Sequence, residues 1–456
     1  MKNKRILMVI VSSLAAVALI VLAVLLLTTK TSRVQLTDDG QPAILYRKLV
    51  NFEDERAVYN LYFCGVGGQP QLLESGVRHV EVGNDGQLVG FNFRSDDYIK
   101  TNVFLMDSSG LKRPFEKGVF GYEIMENGYA IIYRLTDSRD ILYMREYTET
   151  GQIQNEEAIT VGDGEYNDEA NLNAGMVAIV KNMRSGQEDW SGDEDDNPYA
   201  FNWGDLYIYS DGAMELIAEK TFLSGLGQSI ADNGTLVYLA ESNSETKTGT
   251  LYIKEAGSAP RAIVSNATTR FAISRDGSLV AALTGNEIDG YKMFYQYVNG
   301  TAGTINDADQ FKINNSGNTL FYTVPGEEEW HSQLYRVNEN AETELLADEA
   351  SLLVDVSDDG NTVLYIANYD PDTEAGDLCV LRQGRDAELV DTEVMITYWA
   401  AFLGSDTLIM SDDGSTIAYL KNIDTNWLYG DLYVKNMDEP VQLMDDHVSV
   451  GFYFFG

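Results

Sequence analysis

From residue 34 to the C-terminus, apolar and polar positions alternate in short runs that break at regularly placed turns. A run of alternating apolar residues reaches an Asp-Gly or Asn-Gly turn. An apolar segment rich in Tyr, Val and Leu follows, then a polar loop, then a Leu-Tyr segment. The clearest copy reads Phe271-Ala272-Ile273-Ser274-Arg275-Asp276-Gly277-Ser278-Leu279-Val280-Ala281-Ala282-Leu283. Turn glycines of this kind stand at Gly40, Gly86, Gly128, Gly175, Gly234, Gly277, Gly317, Gly360 and Gly414, at intervals of 40 to 59 residues. The second half recurs as Leu61-Tyr62, Phe104-Leu105, Leu142-Tyr143, Leu206-Tyr207, Leu251-Tyr252, Phe294-Tyr295, Leu334-Tyr335, Leu378-Cys379 and Leu432-Tyr433. Asp-Gly and Asn-Gly supply the positive φ that tight hairpins need, and β-branched and aromatic neighbours suit a pleated, half-buried surface. Each repeat therefore predicts a four-stranded antiparallel meander.

A four-stranded unit recurring every 40 to 50 residues has the period of a β-propeller, in which no blade buries both of its faces alone. The expectation is all-β: a single closed propeller of eight or nine blades. The last run, Val448 to Phe455, has no turn after it, so it is expected to pair with the first blade near Ala43 and close the ring.

The N-terminus breaks the pattern. Lys2, Lys4 and Arg5 precede an uncharged run from Ile6 to Leu27, about 33 Å long as a helix and enough to span a bilayer. A cleaved signal peptide is the competitor. Its apolar region is usually shorter, and the only A-x-A pattern, Ala16-Val17-Ala18, lies inside the run. The expectation is residues 1–5 cytoplasmic, 6–29 an uncleaved transmembrane signal anchor, and 30–456 outside the cytoplasm, oriented by the positive-inside rule. Lys30 and Arg33 weigh slightly against that orientation.

Composition bounds the chemistry. The chain has 456 residues with 32 Lys+Arg against 71 Asp+Glu. Five of the basic residues and none of the acidic ones lie in the first 33 positions. The remainder carries a strongly negative charge that repels nucleic acid and anionic lipid. Two cysteines exclude a disulfide scaffold and paired-Cys zinc motifs.

The turns Ile273-Ser274-Arg275-Asp276-Gly277, Val356-Ser357-Asp358-Asp359-Gly360 and Met410-Ser411-Asp412-Asp413-Gly414, each followed by an apolar strand and then Leu-Tyr or Leu-Cys, resemble the WD-like repeats of TolB-type propellers. The resemblance covers roughly residues 34 to 456 and implies fold far more than function. No copy has the proline of that family's commoner Ser-Pro-Asp-Gly turn.

If the Asp-Gly turns join first and second strands, the longer second-to-third loops all emerge on the opposite face. Those loops hold Asp96, Asp97 and Tyr98; Glu287 and Asp289; Glu327, Glu328, Glu329 and Trp330; Asp370, Asp372 and Glu374; and Asp424 with Trp427. The longest is an insertion at 184–204 with Glu188, Asp189, Trp190, Asp193, Glu194, Asp195, Asp196, Tyr199 and Trp203. Clustered carboxylates can hold calcium, but Pro198 and Gly204 break the EF-hand pattern, and Asp370-Asp372-Glu374 also fails it at Leu381. A solvated acidic loop is the plainer reading. Aromatic residues beside carboxylates suit a binding surface, so Asp189, Trp190, Asp193, Glu194, Asp195, Asp196, Trp203, Trp330 and Trp427 are the candidate contact residues. Packing against neighbouring loops is the competing role for the tryptophans.

An enzyme reading finds little support. There is no G-x-S-x-G motif; the nearest run, Gly227 to Ala231, falls on a predicted strand. His79, His331 and His447 sit in separate repeats, and Cys64 and Cys379 read as small core residues. The reading is a non-catalytic, membrane-tethered binding or scaffolding module, without cofactor unless calcium, whose partner is a protein or an envelope polymer. The alternative is a hydrolase or lyase acting on such a polymer through channel-mouth carboxylates.

Overall fold

The computed structural model describes residues 43–455 apart from 54–55, 84–87, 94–100, 108–111, 125–129, 136–137, 148–152, 162–166, 172–173, 185–202, 211, 222–228, 244–247, 287–289, 329, 397–406, 425–428 and 438. The apolar run from Ile6 to Leu27 lies outside the described residues. Among the described residues the secondary structure is all β, and no helix is long and apolar enough to cross a membrane.

The described strands resolve into nine antiparallel four-stranded units of propeller type. Unit 1 is built from Tyr453–Phe455, Ala43–Glu53, Arg56–Gly65 and the first half of Gln71–Val82. The second half of that strand opens unit 2, with Leu88–Phe93, Thr101–Asp107 and the start of Lys112–Ile124. Unit 3 continues with the rest of that strand, Ala130–Leu135, Ser138–Tyr147 and Ile153–Thr160. Unit 4 is Asn167–Asn171, Met176–Arg184, Trp203–Ser210 and Ala213–Thr221. Unit 5 has a single bridge from Ile230 to Leu236 as its first element, then Leu236–Asn243, Thr248–Lys254 and the start of Arg261–Ile273. Unit 6 takes the end of that strand, Leu279–Asn286, Gly290–Tyr297 and Ala302–Asn306. Unit 7 is Gln310–Ile313, Thr319–Pro325, Ser332–Asn338 and Thr343–Ala350. Unit 8 is Leu352–Val356, Thr362–Asp370, Ala375–Arg382 and Glu388–Met395. Unit 9 is Leu408–Met410, Thr416–Asp424, Tyr429–Asn436 and Gln442–Ser449.

The units stack through apolar faces, and each shares a buried cluster with the next. Leu279, Met293 and Tyr295 of unit 6 meet Phe311, Leu320 and Val337 of unit 7. Leu364, Leu378 and Val394 of unit 8 meet Met410, Ile417 and Tyr419 of unit 9. The ninth unit shares such a cluster with the first: Ala418, Leu420, Leu432 and Val434 pack on Ile44, Tyr46 and Cys64. The last strand also pairs with the first, Ala43 opposite Phe455 and Leu45 opposite Tyr453.

Two expectations need adjustment: the run from Val448 to Phe455 is not one strand, since Val448 and Ser449 end the fourth strand of unit 9 and only Tyr453–Phe455 forms the last strand, and the Leu-Tyr register shifts in two units. In units 2 and 6 the residue equivalent to the buried Leu comes one position earlier than the sequence suggested. Val103 and Met293 are buried at that register, so Phe104 and Phe294 take the Tyr position. The turns at Gly40, Gly86 and Gly128 lie outside the described residues.

Candidate binding surface

Units 5 to 9 have two chemically different ends among the described residues. At the turn end, first-to-second and third-to-fourth turns lie side by side; the Val298 N–H donates to Ser278 O at 2.8 Å and the Met437 N–H to Ser415 O at 2.9 Å. The Ser-x-Asp-Gly sequence explains the turn. In unit 8 the Ser357 hydroxyl donates to Asp359 Oδ1 at 2.7 Å and accepts the Thr362 N–H at 2.9 Å, while Asp359 Oδ1 also takes the Asn361 N–H at 2.9 Å. Ser411, Asp413, Ser415 and Thr416 repeat these bonds, as do Ser274, Asp276, Ser278 and Leu279. Gly360 closes its turn at φ 70°. Burial works against the charge of Asp359, yet its N–H and hydroxyl donors hold the carboxyl below the usual range.

Neighbouring turns are also joined to each other. The Asp232 N–H donates to Arg275 O at 2.8 Å, Asp276 N–H to Asn315 O at 3.3 Å, Ser316 N–H to Asp358 O at 3.3 Å, and Asp358 N–H to Asp412 O at 2.8 Å. Arg275 pairs with Asp232 at 3.3 Å. Units 5 to 9 thus present one continuous hydrogen-bonded rim, and its turn carboxylates are engaged in holding it.

The first strands carry a few polar groups among the apolar ones. Asp309 takes the Thr323 hydroxyl at 2.6 Å, and burial pushes its carboxyl up. Arg270 donates to Asp309 O at 2.9 Å. Gln310 ties unit 7 to unit 8, its amide donating to Ser351 O at 3.2 Å and accepting the Leu353 N–H at 2.9 Å. Burial also raises Asp355, partly offset by Lys312. Among the described residues no group of three or more His, Cys, Asp and Glu side chains is placed to hold a metal ion.

At the loop end the second-to-third connections emerge as the strand order requires. Asp189, Trp190, Asp193, Glu194, Asp195, Asp196 and Trp427 lie outside the described residues. Trp203 opens the third strand of unit 4 with its backbone opposite Arg184. Trp330 is half-buried; its ring leans on Tyr369 of unit 8 at 5.3 Å and 56° and joins the cluster between units 8 and 9. Its φ of 63° is unusual for a bulky residue. Around it Glu327, Glu328, Asp370, Asp372 and Glu374 are exposed. Asp370 caps its own turn, accepting the Asp372 N–H at 3.0 Å and the Thr373 hydroxyl at 3.1 Å. His331 faces Glu328 at 3.8 Å, and His447 stacks on Tyr429 at 5.4 Å. Both cysteines are free; burial pushes the Cys64 thiol up to about 11.

Two recurrent devices went unread in the sequence. The last strand of six units turns through positive φ at Gly76, Gly118, Lys220, Asn266, Glu393 and His447, just before a buried Val, Ala or Thr. Asn182, Asn368 and Asn422, also at positive φ, each clamp the Asp of a following Gly-Asp-Leu segment, donating to Asp205, Asp377 and Asp431 at 2.7 to 2.8 Å. The Asn and Gly-Asp-Leu repeats were the available signal for the second.

No family model matches the chain, and no curated protein matches it. Solved structures do. A eukaryotic initiation factor, 10% identical, aligns over 91% of this chain and 98% of its own with a TM-score of 0.56. The β-propeller domain of the Trilobed protease from Pyrococcus furiosus is 13% identical over 78% of this chain and 96% of its own, at 0.39. TolB from Acinetobacter baumannii is 11% identical over 68% of this chain and 64% of its own, at 0.26. At 10% identity the likeness to the initiation factor concerns the fold alone.

Proposed function

We propose that the chain is a non-catalytic binding or scaffolding module: a closed nine-bladed propeller, tethered to a membrane by residues 6–29, lying outside the cytoplasm and meeting its partner through the loop end. Support for closure is the pairing of Tyr453–Phe455 with Ala43–Leu45 and the apolar cluster shared by units 9 and 1. The binding reading rests on the contrast between the two ends. Turn-end carboxylates such as Asp359 are exposed but accept hydrogen bonds from the hydroxyl and N–H groups of their own turn, whereas Glu327, Glu328, Asp372 and Glu374 are exposed around a half-buried Trp330. An aromatic anchor rimmed by charge is the composition of interface centres.

The test is affinity purification from solubilised membranes, with calcium and with chelator. It compares wild type, a variant with Asp189, Asp193, Glu194, Asp195 and Asp196 changed to amides, and Trp330→Ala. A protein partner retained by wild type and lost by both variants supports the reading. Equal capture by all three overturns it. Turnover of an envelope polysaccharide, abolished by Asp309→Asn alone, establishes the hydrolase or lyase alternative instead.

A further inference from the structure

The place where the chain joins the first unit bears on how the domain stands relative to the bilayer. In units 5 to 9 a tight turn leads from the first strand or bridge directly into the second. In unit 1 that strand starts at Ala43, opposite Gly65 and Phe455. Gly65 leads directly into the turn at Gly67–Gly68, where the Gly68 N–H donates to Gly65 O at 2.8 Å. Ala43 therefore sits at the turn end, one strand away from the innermost strand of its unit. Whatever precedes it reaches the domain there.

We infer that the propeller is held with its turn end toward the membrane and its loop end away from it; this rests on the anchored reading above. The geometry makes the opposite pose expensive in chain length. Residues 30–42 span at most about 45 Å when fully extended. To bring the loop end to the lipid, that segment would run outward past the remaining strands of its unit, about 10–15 Å, and then along the depth of a strand. The third strand of unit 8, with eight residues, gives that depth as about 25 Å. Nearly all the reach would be consumed. With the turn end inward, no such detour is needed to reach Ala43.

Charge sets the spacing. The first-to-second turns of units 5 to 9 carry Asp232, Asp276, Asp358, Asp359, Asp412 and Asp413 with Arg275, and the third-to-fourth turn of unit 8 beside them adds Arg385 and Asp386, so this end is net acidic in its described turns. Such a face is repelled by anionic headgroups, so it stands off from the lipid rather than adsorbing. The repulsion is screened beyond about 8 Å at physiological ionic strength. The loop end, with Trp330 and its carboxylates, is thereby presented to whatever lies beyond the membrane.

The test places a fluorescent donor at either end of unit 8 in the full chain, on a Cys64→Ser, Cys379→Ser background. One variant carries Asp386→Cys in the exposed third-to-fourth turn, the other Thr373→Cys in the exposed loop. Each is reconstituted into phosphatidylethanolamine–phosphatidylglycerol vesicles bearing a headgroup acceptor. Transfer at least twofold higher from position 386 than from 373, falling as salt is lowered, is the expected result. Equal transfer, or more from 373, overturns the orientation while leaving the anchor intact. Failure of the wild-type chain to float with the vesicles overturns the anchored reading and this inference together, and is read separately by flotation.

Discussion

Ser357 shows how much one hydroxyl does in this fold. It is fully buried and serves as donor to Asp359 and acceptor for the Thr362 N–H. Ser357→Ala leaves that N–H buried without its acceptor, a loss of about 1–3 kcal/mol. Urea denaturation of the solubilised chain should show the midpoint fall, whereas Thr373→Ala, exposed in its loop, should leave it nearly unchanged. Gly430 is constrained differently. A Cβ there would lie 2.5 Å from the Lys421 carbonyl oxygen, a backbone atom that cannot swing aside. The turn serines and glycines were legible in the sequence because so few residue types satisfy those positions. Lys220, Glu393 and His447 at positive φ were not, because none of them prefers that conformation and only the packing of the next residue imposes it.

Between elements, the same clip recurs at two interfaces. Tyr419 and Lys421 of unit 9 donate to Asp391 of unit 8 at 2.7 and 3.0 Å. Tyr46 and Lys48 of unit 1 donate to Asp445 of unit 9 at 2.8 and 2.5 Å, with Lys48 also on Asp446 at 2.6 Å. Burial would raise Asp391, but the Tyr419 hydroxyl and the Lys421 ammonium outweigh it and hold the carboxyl below its ordinary value. A carboxyl lowered on folding adds stability above the unfolded value of about 3.9 and loses it as pH falls through the folded value. Asp391→Asn should therefore be less stable than wild type at pH 7, and the gap should close below about pH 4. Chemical denaturation across that range checks both the sign and the window. The strands themselves were legible from turn chemistry and Leu-Tyr repeats, but the one-residue offset at Val103 and Met293 was not. Phe104-Leu105 and Phe294-Tyr295 imitate the motif one place along, and only burial distinguishes the two registers. The candidate contact residues were less legible still. Carboxylates are so numerous that their clustering in a loop carries little information, and Trp330 serves packing against Tyr369 as well as the surface.

At the scale of the whole molecule, the junction between the ends of the chain matters most. Deleting residues 451–456 removes the strand that covers Ala43–Leu45 and takes Phe452 from the cluster shared by units 9 and 1. The truncated chain should melt at lower temperature and be cut by protease first within residues 43–65. An unchanged melting temperature would mean that the terminal strand adds nothing to stability.

That junction also has a consequence in time. The partners Tyr46 and Asp445 are 399 positions apart, so the first unit cannot be completed until residues 445–455 have been made. At about 5–20 residues per second, synthesis leaves Ile44, Leu45 and Tyr46 waiting on the order of 20–80 s with one strand edge and one apolar face uncovered. The strand Ala43–Glu53 is thus open to mispairing during synthesis and dependent on whatever shields newly made protein.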